Sequence, residues 1–236
     1  MIGDIHGCSK TFVGLLEKIN LTFGDELFLL GDYIDKGLNS KAVLDHIISL
    51  KKEGYKIIPL RGNHEDMLLG NYIGETVKGW FDLADKELLS SFGIENLKGM
   101  SEDYIQFCNN LEYYHSEKDF IAVHAGLNFS NYNPFENADK PDPFANKEDL
   151  LWIRNWYDKI NYEWLENRII VHGHSPQTKS EIEEQFNILD EKRVLNIDCG
   201  AFLSKQKEHG LGYLCAFDFT NKELIFQENI EDENIY

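Results

Sequence analysis

The chain is short of positive charge, paired cysteines, proline and long apolar runs, and each shortage removes a class of protein. Among 236 residues, 23 Lys and Arg stand against 41 Asp and Glu, a formal net charge of −18. Such a chain repels nucleic acid over most of its surface, because duplex binding depends on clustered cations. The four cysteines, Cys8, Cys108, Cys199 and Cys215, form no CxxC pair. That argues against a zinc ribbon or a disulfide framework and fits a reducing cytoplasm. No run of about 18 apolar residues occurs, so no transmembrane helix is implied. The start lacks a basic segment and its apolar run breaks at Gly3 and Asp4, unlike a signal peptide. The five prolines are scattered, apart from a loop-like stretch, Asn131–Asn146, that holds Pro134, Pro141 and Pro143. There is no repeat, low-complexity tract or linker. With 15 Phe, 11 Tyr and 4 Trp, the chain has ample material for a core.

What is present is strand and helix in alternation, the pattern of an α/β protein. Phe12, Leu15, Leu16 and Ile19 are spaced as one face of a helix. Leu27–Leu30 is a short apolar run suited to a buried strand, and Ser40 is placed to cap a helix carrying Val43, Leu44, Ile47 and Leu50. Ile57–Leu60 reads as the next strand, followed by a helix over about Glu65 to Leu69. Asn71 to Asp119 is helical in flavour, and Trp80, Phe81, Leu83, Leu88 and Leu89 read as the core of that insertion. Phe120–Val123, Ile169–Val171 and Leu195–Ile197 are further strands, and Tyr213–Phe219 with Lys222–Gln227 suggests a terminal hairpin. The acidic runs Glu181–Glu184 and Glu228–Glu233 read as solvated faces, and the tail Gln227–Tyr236 is expected to end in solvent.

Each apolar strand runs directly into a polar cluster. Ile2 leads into Gly3-Asp4-Ile5-His6-Gly7, Leu27–Leu30 into Gly31-Asp32-Tyr33-Ile34-Asp35-Lys36-Gly37, and Ile57–Leu60 into Arg61-Gly62-Asn63-His64-Glu65. Phe120–Val123 leads into His124-Ala125-Gly126, and Ile169–Val171 into His172-Gly173-His174. Ligand sites of open α/β sheets lie beyond the carboxyl ends of the strands, so the five clusters should converge. Asp, His and Asn donors without Cys suit manganese first, with iron, zinc or cobalt as alternatives. Six ligands are too many for one catalytic zinc and fit two ions sharing a carboxylate. Singly, each cluster has a bland reading: a turn, a surface contact, a hydrogen-bonded histidine. Five together at five strand ends are hard to read as coincidence.

In this order and spacing, GDIHG, GDYIDKG, RGNHE, VHAG and HGH resemble the calcineurin-like metallophosphoesterases, nearest to their phosphoprotein phosphatase branch. The resemblance implies a metallophosphatase sandwich of two mixed β-sheets flanked by helices, one domain over 1–236 with a helical insertion at about 71–119. By the same resemblance, Asp4 and His6 bind a first ion, Asp32 bridges, and Asn63, His124 and His174 complete a second. His174 is preferred over His172 because Ser175 follows it; His172 then reads as structural. The implied chemistry is direct attack on phosphorus by a metal-bridging hydroxide. His64 is the implied general acid and Asp35 the carboxylate that orients it. Arg154 resembles the arginine that grips phosphate. Lys36 is a further implied phosphate contact, and Arg61 either touches phosphate or braces its loop in a buried ion pair.

Two departures matter. The family usually has Arg where this chain has Lys36, and an ammonium is a point charge where a guanidinium gives a planar two-point grip. Only Met1 and Ile2 precede Gly3 where several apolar residues are usual, which leads to an expectation of reduced stability and a loosely held Asp4. His46 and His115 read as structural, His209 as a residue that could border the site, and Asp198 as one that could stand behind a ligand. The leading function is a metal-dependent phosphatase of phosphomonoesters, with phosphoserine or phosphothreonine in proteins, or a small phosphorylated molecule, as substrate. Diadenosine tetraphosphate hydrolysis is the alternative that Lys36 keeps open, whereas RGNHE together with Asp35 favours the phosphatase. A binding module without turnover is disfavoured by the intact His64 and Asp35. No nucleic-acid or membrane partner is expected.

Overall fold

The computed structural model describes residues 1–75, 86–130 and 142–231. They form strands β1 (Glu26–Leu29), β2 (Lys56–Pro59), β3 (Tyr114–Ser116), β4 (Phe120–Val123), β5 (Ile169–His172), β6 (Val194–Asn196), β7 (Tyr213–Asp218) and β8 (Glu223–Glu228). The longer helices are α1 (Ser9–Lys18), α2 (Ser40–Glu53), α3 (Asn63–Ile73), α4 (Lys86–Phe92) and α5 (Glu102–Asn109). α6 (Lys147–Trp152), α7 (Tyr162–Leu165), α8 (Lys179–Asn187) and α9 (Leu189–Lys192) follow. No helix among the described residues is long and apolar enough to cross a membrane.

Two mixed sheets result. β1 and β2 pair in parallel, Leu27 opposite Ile57, and β7 and β8 form an antiparallel hairpin, Cys215 opposite Phe226. Ile2 joins the pairs, bridging Leu29 in parallel and Ala216 in antiparallel sense. The second sheet runs β3-β4-β5-β6, with only the β3–β4 pairing antiparallel.

The period-two alternation of each strand assigns its faces. Ile2, Leu27, Leu29, Leu214 and Ala216 pack on the helix side against Phe12, Leu15, Val43 and Ile47. Phe28, Leu30, Cys215 and Phe217 turn the other way and meet Phe120, Ala122, Val171 and Leu195 between the sheets. Ile121, Val123 and Ile170 face outward onto Leu150, Trp156 and Leu165. The architecture is therefore the expected sandwich of two mixed sheets with helices outside.

Several boundaries differ from the sequence reading. Asn39 precedes α2, and Ser40 is its first residue. α3 starts at Asn63, which puts Asn63 and His64 on its first turn. β3 has no apolar signal because it is a short sheet edge carrying His115 and Ser116. Trp80, Phe81, Leu83, Pro134 and Pro141 lie outside the described residues. The end of the tail, 232–236, lies outside the described residues, but the reading of Glu228–Glu233 as a solvated face needs correction: Asn229 and Glu231 are 3% and 7% exposed, and Glu231 accepts hydrogen bonds from the Thr11 amide at 2.9 Å and hydroxyl at 3.1 Å. Asp4 is not loosely held either. It is buried, and Ile2 fills the slot between β1 and β7, where its amide donates to Phe28 O at 2.9 Å.

Phe217 is fully buried between the sheets. Phe217→Ala should lower stability by about 3–5 kcal/mol in urea unfolding. Phe23→Ala, at a ring that is 61% exposed, should change it little.

Candidate active site

The strand-end clusters do converge, and the backbone is bent to make them do so. Ten non-glycine residues among those described have positive φ, and five of them are His6 (45°), Asp32 (52°), Asp35 (66°), Lys36 (66°) and His174 (71°). The left-handed region costs a non-glycine residue roughly 1–2 kcal/mol, so each turn has to be held by its surroundings. Glu65 supplies much of that hold. Its fully buried carboxylate accepts the amides of Asp32 (2.9 Å), Tyr33 (2.8 Å) and Gly62 (3.0 Å), pinning the Asp32 and Gly62 turns to the start of α3. Ser40 Oγ accepts the Asp35 amide at 3.1 Å. Sequence reasoning named Ser40 as a helix cap and Glu65 within RGNHE, but not as supports of the Asp32 and Asp35 turns. Glu65 stands three residues after Gly62 and makes the half of a capping box that a glycine N-cap allows, which leaves only a weak sequence signal. Gly62 has to be glycine, because a Cβ there would collide with Asp32.

Asp32 sits at the centre. Its Oδ2 lies 3.4 Å from His6 Nε2 and 3.9 Å from His64 Nε2, and its Oδ1 lies 3.5 Å from His124 Nε2. Its two oxygens thus face two groups of donors, His6–Asp32–His64 and Asp32–His124–His174. Asn63 joins the second, its Oδ1 being 2.8 Å from His124 Nε2 and 3.1 Å from His174 Nδ1. Asp4 stands outside both groups, with its carboxylate turned to the His174 amide at 3.1 Å.

The donor chemistry fits divalent cations. His6 Nδ1–H donates to Ile34 O and His124 Nδ1–H to Leu30 O, both at 2.9 Å, which leaves each Nε2 a bare lone pair. His124 Nε2 then meets Asn63 Oδ1 as acceptor against acceptor, an arrangement that a cation between them relieves. His174 Nε2 is buried without a hydrogen-bond partner. Burial pushes His6 down to about 3 and His174 to about 2 and also lowers His124, so all three imidazoles are neutral, as metal ligands must be. Burial raises Asp4 well above the usual carboxylate range, helped by the charges of Asp198 and Asp32, and lifts Asp198 and Glu65 to about 7. Burial opposes ionisation of Asp32 too, but the charged His64 imidazole and the hydrogen bond from the His64 amide help to keep that carboxyl low.

His64 behaves differently. Its Nδ1 lies 2.6 Å from Asp35 Oδ2, and both side chains are nearly sealed. Burial pulls it down most strongly, yet the Asp32 charge and the Asp35 hydrogen bond together raise it to about 9.

The flanking cations divide. Arg154 is exposed and lies over the site, Nη1 donating to Ser175 Oγ at 2.7 Å and Nη2 to His174 O at 3.4 Å. Lys36 is exposed in the turn after Asp35, and its charge helps to lower His6. Arg61 is 7% exposed and is occupied elsewhere: it donates to Asp66 (3.1 Å), Tyr113 (2.9 Å) and the α5 carbonyls of Cys108 (3.1 Å) and Asn109 (2.7 Å). Of its two expected roles, this placement matches the brace and not the phosphate contact. His172 accepts from Tyr157 Oη at 2.7 Å, away from the two groups. His46 packs on Phe12, His115 pairs with Glu117, and His209 is exposed. Asp198 is buried beside Asp4 and accepts the Gly200 amide at 2.9 Å.

A family model described as calcineurin-like phosphoesterase matches residues 1–205. The chain belongs to that family. The family uses divalent metals, in keeping with the Asp, His and Asn donors gathered here. The chain is 32% identical over 127 residues to a symmetrical bis(5'-nucleosyl)-tetraphosphatase of Acidovorax ebreus, a match covering 53% of this chain and 43% of the relative. It therefore spans under half of that relative's length. A Saccharomyces cerevisiae protein serine/threonine phosphatase with similarity to human phosphatase PP5 superposes with a TM-score of 0.64 at 16% identity. That match covers 99% of this chain and 80% of the other. A cold-active protein-tyrosine phosphatase of a psychrophilic Shewanella gives 0.57 at 18% identity, covering 96% and 79%. Likeness at these identities establishes the fold.

The raised His64 has a sign that can be tested. A base whose folded pKa of about 9 exceeds its ordinary 6.5 contributes stability that is full below 6.5 and lost as pH rises through 9. Metal-stripped protein should therefore melt at falling temperature from about pH 6.5 to about pH 9. The decline should be shallower in His64→Gln; equal slopes in thermal melts would remove the charged imidazole from the picture.

Proposed function

We propose that this protein is a metal-dependent hydrolase of phosphomonoesters, with phosphoserine or phosphothreonine in proteins as its substrate class. The observation that carries the reading is the His64–Asp35 contact of 2.6 Å beside Asp32. A serine or threonine alkoxide is a poor leaving group and needs a proton as it departs, and a held, charged imidazole is the group to give one.

Asp4, His6, Asp32, Asn63, His124 and His174 are the residues that would hold two divalent cations, manganese foremost, with Asp32 shared. When bound, such ions supply positive charge for the phosphoryl oxygens and acidify water near neutral pH. The remaining work falls to the chain. Asp35 keeps Nδ1 of His64 protonated and fixes the ring, so that Nε2–H is presented to the leaving oxygen. Arg154 offers its guanidinium to the phosphate from the His174 side, and Lys36 adds a point charge at the rim. Arg61 acts at a distance by tying α5 to the loop that bears Asn63.

A second reading, hydrolysis of a dinucleoside tetraphosphate, is favoured by the name of the Acidovorax relative and by Lys36 in place of arginine. One assay separates them: a phosphothreonine peptide and diadenosine tetraphosphate supplied together with Mn²⁺. The peptide should turn over faster; faster dinucleotide cleavage would replace the first reading by the second. Separately, His64→Ala should slow peptide turnover by roughly 10²–10⁴ and slow an activated aryl phosphate less. Equal losses on both would refute the acid role.

A further inference from the structure

The polar turn that carries His6 enters α1 with no cap of its own. Cys8 stands at the N-cap and gives no side-chain hydrogen bond. The first amides of a helix need acceptors when buried, and an anion there is favoured by the helix dipole. The acceptor comes from 220 residues away. Glu231 Oε1 takes the Thr11 amide at 2.9 Å and the Thr11 hydroxyl at 3.1 Å, while Thr11 Oγ1 accepts the Ile230 amide at 3.1 Å. Thr11 is fully buried, so these bonds are not replaced by water.

The same short segment also reaches the turn that packs on His6. Asn229 Nδ2 donates to Ala201 O at 2.7 Å, and Asn229 Oδ1 accepts the Glu231 amide at 2.9 Å. The next residue, Phe202, sets its ring edge-on to the His6 imidazole at 5.0 Å between centroids. A third tie runs through Asn39, whose amide donates to Gly7 O at 3.1 Å and whose Nδ2 lies 3.5 Å from Glu231 Oε2. Asn229, Ile230 and Glu231 thus tie the start of α1, which follows His6, to the Ala201–Phe202 turn, whose ring packs on His6.

We propose that Asn229–Glu231 is a strap that positions His6 for its metal ion, with Glu231 and Asn229 as positioning residues. His6 is held in a left-handed conformation (φ 45°), so its ring direction depends on what grips the turn around it. Groups that orient a ligand from behind typically change metal affinity by roughly 10–100-fold when lost. The proposal rests on the reading of the Asp–His–Asn cluster as a two-ion site.

The test is Mn²⁺ titration of the purified full chain, with free ion followed by EPR, for wild type, Glu231→Gln, Asn229→Ala and the surface control Glu223→Gln. One of the two binding steps should weaken roughly tenfold or more in both strap variants, the other by less than about threefold, and the control should match wild type. If Glu231→Gln does not fold, the near-isosteric Thr11→Val carries the same expectation. Unchanged affinities with lowered melting temperatures would overturn the strap, as would equal weakening of both steps. Wild-type protein that binds no Mn²⁺ would instead overturn the two-ion reading.

Discussion

Carboxylates packed together out of reach of water repel one another, and that repulsion governs this molecule. Asp4, Asp32, Glu65 and Asp198 are all buried, at 2% exposure or less, around one set of strand ends. Buried ions carry a desolvation penalty of several kcal/mol each, so such a cluster persists only if protons, hydrogen bonds or cations offset it. The fold uses all three. Asp4, Glu65 and Asp198 bind protons more readily than free carboxyls, the charged His64 helps to keep Asp32 ionised, and the facing lone pairs of His124 and Asn63 leave places that suit cations.

From this constraint the backbone follows. Side chains can point at a common centre only if the strands end abruptly, and they do so with His6, Asp32, Asp35 and His174 in left-handed conformations. Buried hydrogen bonds meet that strain: Glu65 under the Asp32 loop, Ser40 under Asp35, and Glu231 under α1. The apolar layers on either side of both sheets make these supports rigid. His64 sits on the first turn of α3 beside Asn63, so the loop that places the one also sets the direction of the other.

The sandwich and the convergence of the site were legible in the sequence, because period-two strands running into polar clusters mark both at once. Ile2, although one residue of a strand, was enough to align GDIHG with its neighbours. Less legible was everything decided by distant contacts. Glu231 looked like part of a solvated acidic run, since its Thr11 partner lies 220 residues away and nothing local signals it. Arg61 could be read two ways until the α5 carbonyls it caps were placed beside it. β3 was missed because an edge strand need not bury both faces. The turn of the Asp4 carboxylate toward the His174 amide depends on side-chain directions that spacing does not carry.

The central claim is that Asp32 joins two cation sites in one cluster. The most direct measurement is Mn²⁺ stoichiometry together with the EPR spectrum of the loaded chain. Two ions per chain with a spin-coupled signal is the expected result, and Asp32→Asn should abolish the coupling. One ion, or an uncoupled signal at full occupancy, would contradict a shared carboxylate and with it this view of the site.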